Sequence, residues 1–156
     1  MATWSATSVV YDGYIYEIGG DTTNGIASTV EYAPINSNGS LGNWTTTTSL
    51  PAVTDNATAL VSNGYVYQIG GCAGTTCAAT STVDYAQINP AGYTSSYTTT
   101  TSLPAANMQA NGVTYDGYAY QIGGLSTATT TNYAPINSNG TLGAWSSTML
   151  RVTRCC

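Results

Sequence analysis

The chain has 156 residues, of which 7 are acidic, 2 are basic and none is histidine, for a net charge of -5. Charged residues make up only 6%, against roughly 25% in an ordinary globular protein. There is no basic patch to neutralise phosphates, so nucleic-acid binding is excluded, and without His or Lys there is no imidazole base, His-ligated metal or Schiff base.

Taken in chain order, the sequence repeats itself. Gly13-Tyr14-Ile15-Tyr16-Glu17-Ile18-Gly19-Gly20 returns as Gly64-Tyr65-Val66-Tyr67-Gln68-Ile69-Gly70-Gly71 and as Gly117-Tyr118-Ala119-Tyr120-Gln121-Ile122-Gly123-Gly124. The glycine doublets are 51 and 53 residues apart. Downstream of each doublet comes a Tyr-Ala pair, at Tyr32, Tyr85 and Tyr133. A third position follows, held by Trp44, Tyr97 and Trp145. The linker Thr48-Ser49-Leu50-Pro51-Ala52 recurs as Thr101-Ser102-Leu103-Pro104-Ala105.

Each copy reads as four short strands. The first, over 6–11, 57–62 and 110–115, ends in Asp12-Gly13, Asn63-Gly64 or Asp116-Gly117. These dipeptides favour two-residue hairpins, whose central residues both take positive φ. The second strand is Tyr-x-Tyr-x-aliphatic, and its period of two puts Tyr65, Tyr67 and Ile69 on one face. The third carries the Tyr-Ala pair. The fourth is Thr-rich and suits a solvated outer edge. No helical periodicity is present, and no apolar run is long enough for a membrane-spanning helix. Met1–Ser5 lacks the basic and apolar regions of a secretory signal.

A period near 50 with Gly-Gly, then Tyr, then Trp, resembles the kelch repeat. The resemblance implies an all-β chain of three four-stranded propeller blades, at about 6–50, 57–103 and 110–148, with a tail at 149–156. It implies blade packing for Gly19, Gly20, Tyr32, Trp44, Gly70, Gly71, Tyr85, Tyr97, Gly123, Gly124, Tyr133 and Trp145. Some kelch-like propellers are copper radical oxidases, but their copper needs two His, so that activity does not carry over.

Propellers close with about 4–8 blades. Three would leave two Tyr- and Ile-rich faces open to water, which is rarely tolerated. The expected partner is therefore a second copy, joined head to tail to make six blades. The same contact, failing to close, makes a fibre. The alternative is that the chain is a piece of a longer propeller. The reading is a non-catalytic binding or scaffold module without cofactor, at a cell surface or outside the cell. Its polar, Tyr-rich surface suits neutral glycans or a protein ligand.

The remaining candidate chemistry is sparse. Cys72 and Cys77 flank a loop after the second doublet and are expected to form a disulfide. Cys155 and Cys156 are adjacent, too close in sequence for an unstrained bond between them. Without His or a second nearby Cys pair, no transition metal is expected. Glu17 aligns with Gln68 and Gln121, and Glu31 with Asp84 and Asn132, which suggests solvated strand faces.

Overall fold

The computed structural model describes residues 3–74 and 76–149. Its strands in chain order are β1 (Thr3–Trp4), β2 (Thr7–Tyr11), β3 (Tyr14–Ile18), β4 (Asp21–Thr22), β5 (Gly25–Ile26), β6 (Val30–Pro34) and β7 (Thr45–Thr46). The second repeat supplies β8 (Thr58–Ser62), β9 (Tyr65–Ile69), β10 (Cys72–Ala73), β11 (Ala78–Ala79), β12 (Val83–Gln87) and β13 (Thr98–Thr99). The third supplies β14 (Asn111–Tyr115), β15 (Tyr118–Ile122), β16 (Thr130–Pro135) and β17 (Ser146–Met149). No described residue is helical, so no described helix could cross a membrane.

The chain is all-β. Each repeat folds into one four-stranded antiparallel meander: β2-β3-β6-β7, then β8-β9-β12-β13, then β14-β15-β16-β17. The register is the same in all three. Tyr16, Tyr67 and Tyr120 stand opposite Tyr32, Tyr85 and Tyr133 respectively. The rings of each pair stack, with centroids 6.0, 6.1 and 6.1 Å apart. The hairpin turns have the backbone their dipeptides imply; Asn63 and Gly64 sit at φ 50° and 79°. The Thr-rich strands β7 and β13 lie at sheet edges and are exposed.

The first strands β2, β8 and β14 are neighbours, with β8 in the middle. Just before them, Ser5, Asn56 and Gln109 all take positive φ (57°, 51° and 57°). They form a chain of backbone bonds: Asn56 N donates to Ser5 O at 3.0 Å, and Gln109 N to Asn56 O at 2.8 Å. The core lies between sheets. Tyr16, Ile18, Val66, Ala86 and Tyr97 fill the space between the first and second sheets. Leu60, Tyr67, Ile69, Ala119 and Leu142 fill it between the second and third.

Candidate functional site

The two inter-sheet contacts are copies of one design. A buried tyrosine of the first sheet and one of the second each donates its hydroxyl to a glycine carbonyl in the next sheet: Tyr16 to Gly92 O at 2.8 Å, and Tyr67 to Gly140 O at 2.9 Å. Gly92 and Gly140 lie flat against the tyrosine rings; a Cβ there would come within 2.7 Å of Tyr32 or 2.4 Å of Tyr65. Both glycines are third residues after an Asn that opens the turn between third and fourth strands. The equivalent in the first sheet is Gly39. It is exposed, and a Cβ there would meet nothing within 4 Å among the described residues. At the other end of the series, Tyr120 has no glycine carbonyl to meet among the described residues.

Other positions show the same asymmetry. Leu142 is 3% exposed, but its counterpart Leu41 is 41% exposed. Trp145 packs on the second cluster and donates from Nε1 to Thr101 O at 2.9 Å. Tyr97 is buried between the first two sheets, while Trp44, at the same repeat position, is 42% exposed. The first sheet thus leaves Gly39, Leu41 and Trp44 uncovered. The third leaves Tyr118 and Tyr120 partly uncovered.

The glycine doublets receive the linkers. A Cβ on Gly19 would lie 2.4 Å from Thr54 O, and one on Gly70 would lie 2.4 Å from Asn107 O. No side chain has room there, and both glycines have φ near 64°. The second glycine of each pair donates its N–H to the same carbonyl: Gly20 to Thr54 O at 2.8 Å, Gly71 to Asn107 O at 2.9 Å. In the third doublet, Gly124 packs against the Asn107 side chain, but Gly123 is open: a Cβ would find only Ala128 O, at 3.8 Å, among the described residues. Thr54 and Asn107 were not singled out by sequence, although both stand four residues before a first strand.

The linkers also correct one sequence expectation. Gln68, Gln121, Asp84 and Asn132 are buried and not solvated. Each makes at least one hydrogen bond, although Gln121 Nε2 has no partner among the described residues. Asn107 Nδ2 donates to Gln121 Oε1 at 3.2 Å, Thr99 Oγ1 to Asp84 Oδ1 at 2.7 Å, and Ser147 Oγ to Asn132 Oδ1 at 2.7 Å. The first-sheet pair, Glu17 opposite Glu31, faces a cleft of about 360 Å³ that also includes Thr3, Thr22, Asn24 and Ile26, whereas Gln68 and Asp84 face one of about 50 Å³.

Burial pushes the Tyr16, Tyr67 and Tyr97 phenols above their ordinary pKa of 10. Neighbouring tyrosines add to the effect for Tyr16 and Tyr67. An unfolded chain ionises these groups near pH 10, while the fold keeps them neutral. Their contribution is therefore intact below pH 10 and declines as pH rises beyond it. Circular dichroism followed against pH should show the β signal melting on the alkaline side of 10. A melting temperature unchanged from pH 9 to pH 12 would contradict this.

Cys72 and Cys77 are joined as a disulfide, with Cα atoms 4.8 Å apart. Cys155, Cys156, Arg151 and Arg154 lie outside the described residues. Non-reduced, denatured protein should show at most two reactive thiols, and a count of four would rule the bond out. The loop it closes is short, so losing it should cost less than the ~3 kcal/mol of a 15-residue loop.

No protein-family model matches this sequence, and no curated protein matches it. In fold, 155 solved chains match. One is YjhT, with a TM-score of 0.75 over 97% of this chain at 15% identity. The match occupies 53% of YjhT, so this chain spans about half the length of that protein. At that identity the likeness is one of fold.

Proposed function

We propose that this chain is a non-catalytic, self-associating scaffold whose sheets are kelch-type propeller blades, two copies closing head to tail into a ring of six. The observation that carries the reading is the unfinished repeat. Sheets one and two, and sheets two and three, meet through the same tyrosine-to-glycine bond. The half with Tyr120 and the half with Gly39 are then left over, and they are complementary.

In this seam Tyr120 Oη of one copy donates to Gly39 O of the second. Leu41 and Trp44 are covered as Leu142 and Trp145 already are. Gly123 and Gly124 receive the segment around Thr3, which stands four residues before β2 as Thr54 and Asn107 stand before β8 and β14. The chain of backbone bonds through Ser5, Asn56 and Gln109 continues from copy to copy. Two seams form per ring, and each reuses contacts already made inside the chain. Burial of about 1,000 Å² of apolar surface per seam is worth on the order of 25 kcal/mol before entropy and desolvation costs. A fold partner about twice as long in a single chain is consistent with a ring of twice as many blades.

Sedimentation or light scattering is the test. A particle of twice the 16.1 kDa chain mass is expected. A stable folded monomer at micromolar concentration overturns the reading, and a filament replaces the closed ring by a surface fibre. A ligand, if the ring has one, is a neutral glycan or a protein. Exposed rings such as Trp4, Tyr93 and Tyr115 offer flat faces on which sugars stack, and a glycan array would show it.

A further inference from the structure

Three ligand atoms from two parts of the second repeat converge at one point. They are Asp55 Oδ1, Cys72 Sγ and Cys77 Sγ, all within 4.8 Å of one another. Asp55 belongs to the linker before β8, and the cysteines to β10 and the loop after it. The backbone holds them in place: Asp55 N donates to Cys72 O at 3.1 Å and Cys72 N to Asp55 O at 2.9 Å. Repeat spacing hid this set, because the equivalent positions in the first repeat are Trp4 and Asp21.

The carboxylate is in an unusual position. Asp55 is 7% exposed. Its Oδ1 touches Cys72 Sγ and lies 3.5 Å from Cys77 Sγ. A sulfur in a disulfide carries no proton. In the oxidised chain, then, this buried carboxylate receives no hydrogen bond from either sulfur, and no other described side chain donates to it. Such a group is costly unless a donor or a cation meets it. Reduction changes the chemistry at once, because each cysteine becomes a thiol donor or a thiolate ligand.

We propose that the reduced Cys72–Cys77 pair and Asp55 form a three-ligand site for a thiophilic divalent cation of the zinc and cadmium class. Thiolate and carboxylate are both ligands that such ions accept. The fourth position opens on a cleft of about 480 Å³ lined by Asp55, Cys77, Asp21, Asn24 and Gly74, which gives the ion an entry path and a water ligand. On the far side Asn56 Nδ2 lies 3.9 and 4.0 Å from the two sulfurs, and Met108 Sδ lies 4.0 Å from Cys77 Sγ. Oxidised, the same residues are a staple; reduced, they hold a metal. The sequence-based expectation of no metal rested on missing histidines and a missing second Cys pair, and Asp55 supplies the third ligand they would have provided.

The chemistry balances as follows. A water-soluble phosphine gives two electrons to the disulfide and takes the oxygen of one water as phosphine oxide. That water's two protons leave Cys72 and Cys77 as thiols. Binding of one divalent ion then displaces both thiol protons to solvent. The experiment uses the full chain with Cys155→Ser and Cys156→Ser, so that only this pair can respond. The phosphine-reduced protein is titrated with Cd²⁺ while thiolate-to-cadmium absorption in the ultraviolet and proton release are followed. One equivalent of Cd²⁺ and release of about two protons are expected. The oxidised protein should show neither. Asp55→Asn should weaken binding by no less than the 10–100-fold that even outer-shell partners cost. Further replacement of both Cys72 and Cys77 by Ser should abolish the absorption. No cadmium absorption in the reduced parent overturns the proposal, and so does equal uptake by the oxidised parent. Both comparisons use the parent chain, so they hold even if a variant fails to fold.

Discussion

Gly70→Ala is expected to unfold the chain, whereas Gly123→Ala is expected to spare the three sheets and weaken only the seam, where the segment around Thr3 of the second copy lies. Both glycines are the first of a doublet, and both sit at φ near 65°. The left-handed backbone alone costs an alanine about 1 kcal/mol at either site. The neighbours make the difference. At Gly70 the new methyl would lie 2.4 Å from Asn107 O and 3.3 Å from Leu103 Cδ1. The Asn107 carbonyl must retreat, which loses the Gly71 N to Asn107 O bond and disturbs the linker whose Asn107 side chain donates to Gln121. Strain, overpacking and the lost bond together come to on the order of 3–6 kcal/mol. Total stability for a domain of this size is about 5–15 kcal/mol, so a large share of it is gone. At Gly123 the nearest described atom is 3.8 Å away. Urea denaturation followed by circular dichroism separates the two cases. Equal shifts in midpoint would show that the cover on Gly123, from either copy, is as tight as that on Gly70.

The same pair of positions shows what could be read from sequence and what could not. The glycine doublets, the Asn-Gly and Asp-Gly turns and the Tyr-x-Tyr strands stand out because each backbone or packing task admits few residue types. Three identical tasks therefore leave three similar strings, and the three meanders follow from them. The linkers repeat as Thr-Ser-Leu-Pro-Ala, but the residues after that string, which reach the glycines, leave no such trace. Thr54 and Asn107 meet Gly19 and Gly70 through backbone carbonyls, a contact that sets no one residue type at that position. The polar residues of β9, β12, β15 and β16 read as solvated, yet they are buried. A strand's period of two tells which residues share a face, but not what comes to lie on it. Asp55 is hidden further still. Its contact with Cys72 and Cys77 exists in one repeat only, so no comparison among the repeats could reveal it.

Tyr120→Asp should break the assembly while leaving the three sheets intact, and this is the sharpest test of the head-to-tail seam. The matching substitution at Tyr67 serves as the reference. Tyr67 is fully buried, bonds to Gly140 O and stacks on Tyr85, so a carboxylate there would be buried without a partner. That places it among the mutations costing more than about 4 kcal/mol, and the chain should unfold. Tyr16→Asp should do the same, since Tyr16 is also buried and bonded to Gly92 O. Tyr120 belongs to neither buried cluster, although it stacks on Tyr133 with centroids 6.1 Å apart. Removing its ring forfeits roughly 0.5–1.5 kcal/mol of aromatic pairing within the chain. At the seam the loss is much larger, because a charge would face Gly39 O and the apolar surface of Leu41 and Trp44 in both junctions of the ring. Gly39→Leu should act from the other side, filling the space that the tyrosine rings need. Each variant should retain the β-sheet dichroism of the parent and sediment as a 16.1 kDa chain. Tyr120→Phe should keep the larger mass with weaker association, since it loses one hydroxyl per seam, worth about 1 kcal/mol each. If Tyr120→Asp and Gly39→Leu both retain the parent's mass, the copies meet by some other surface.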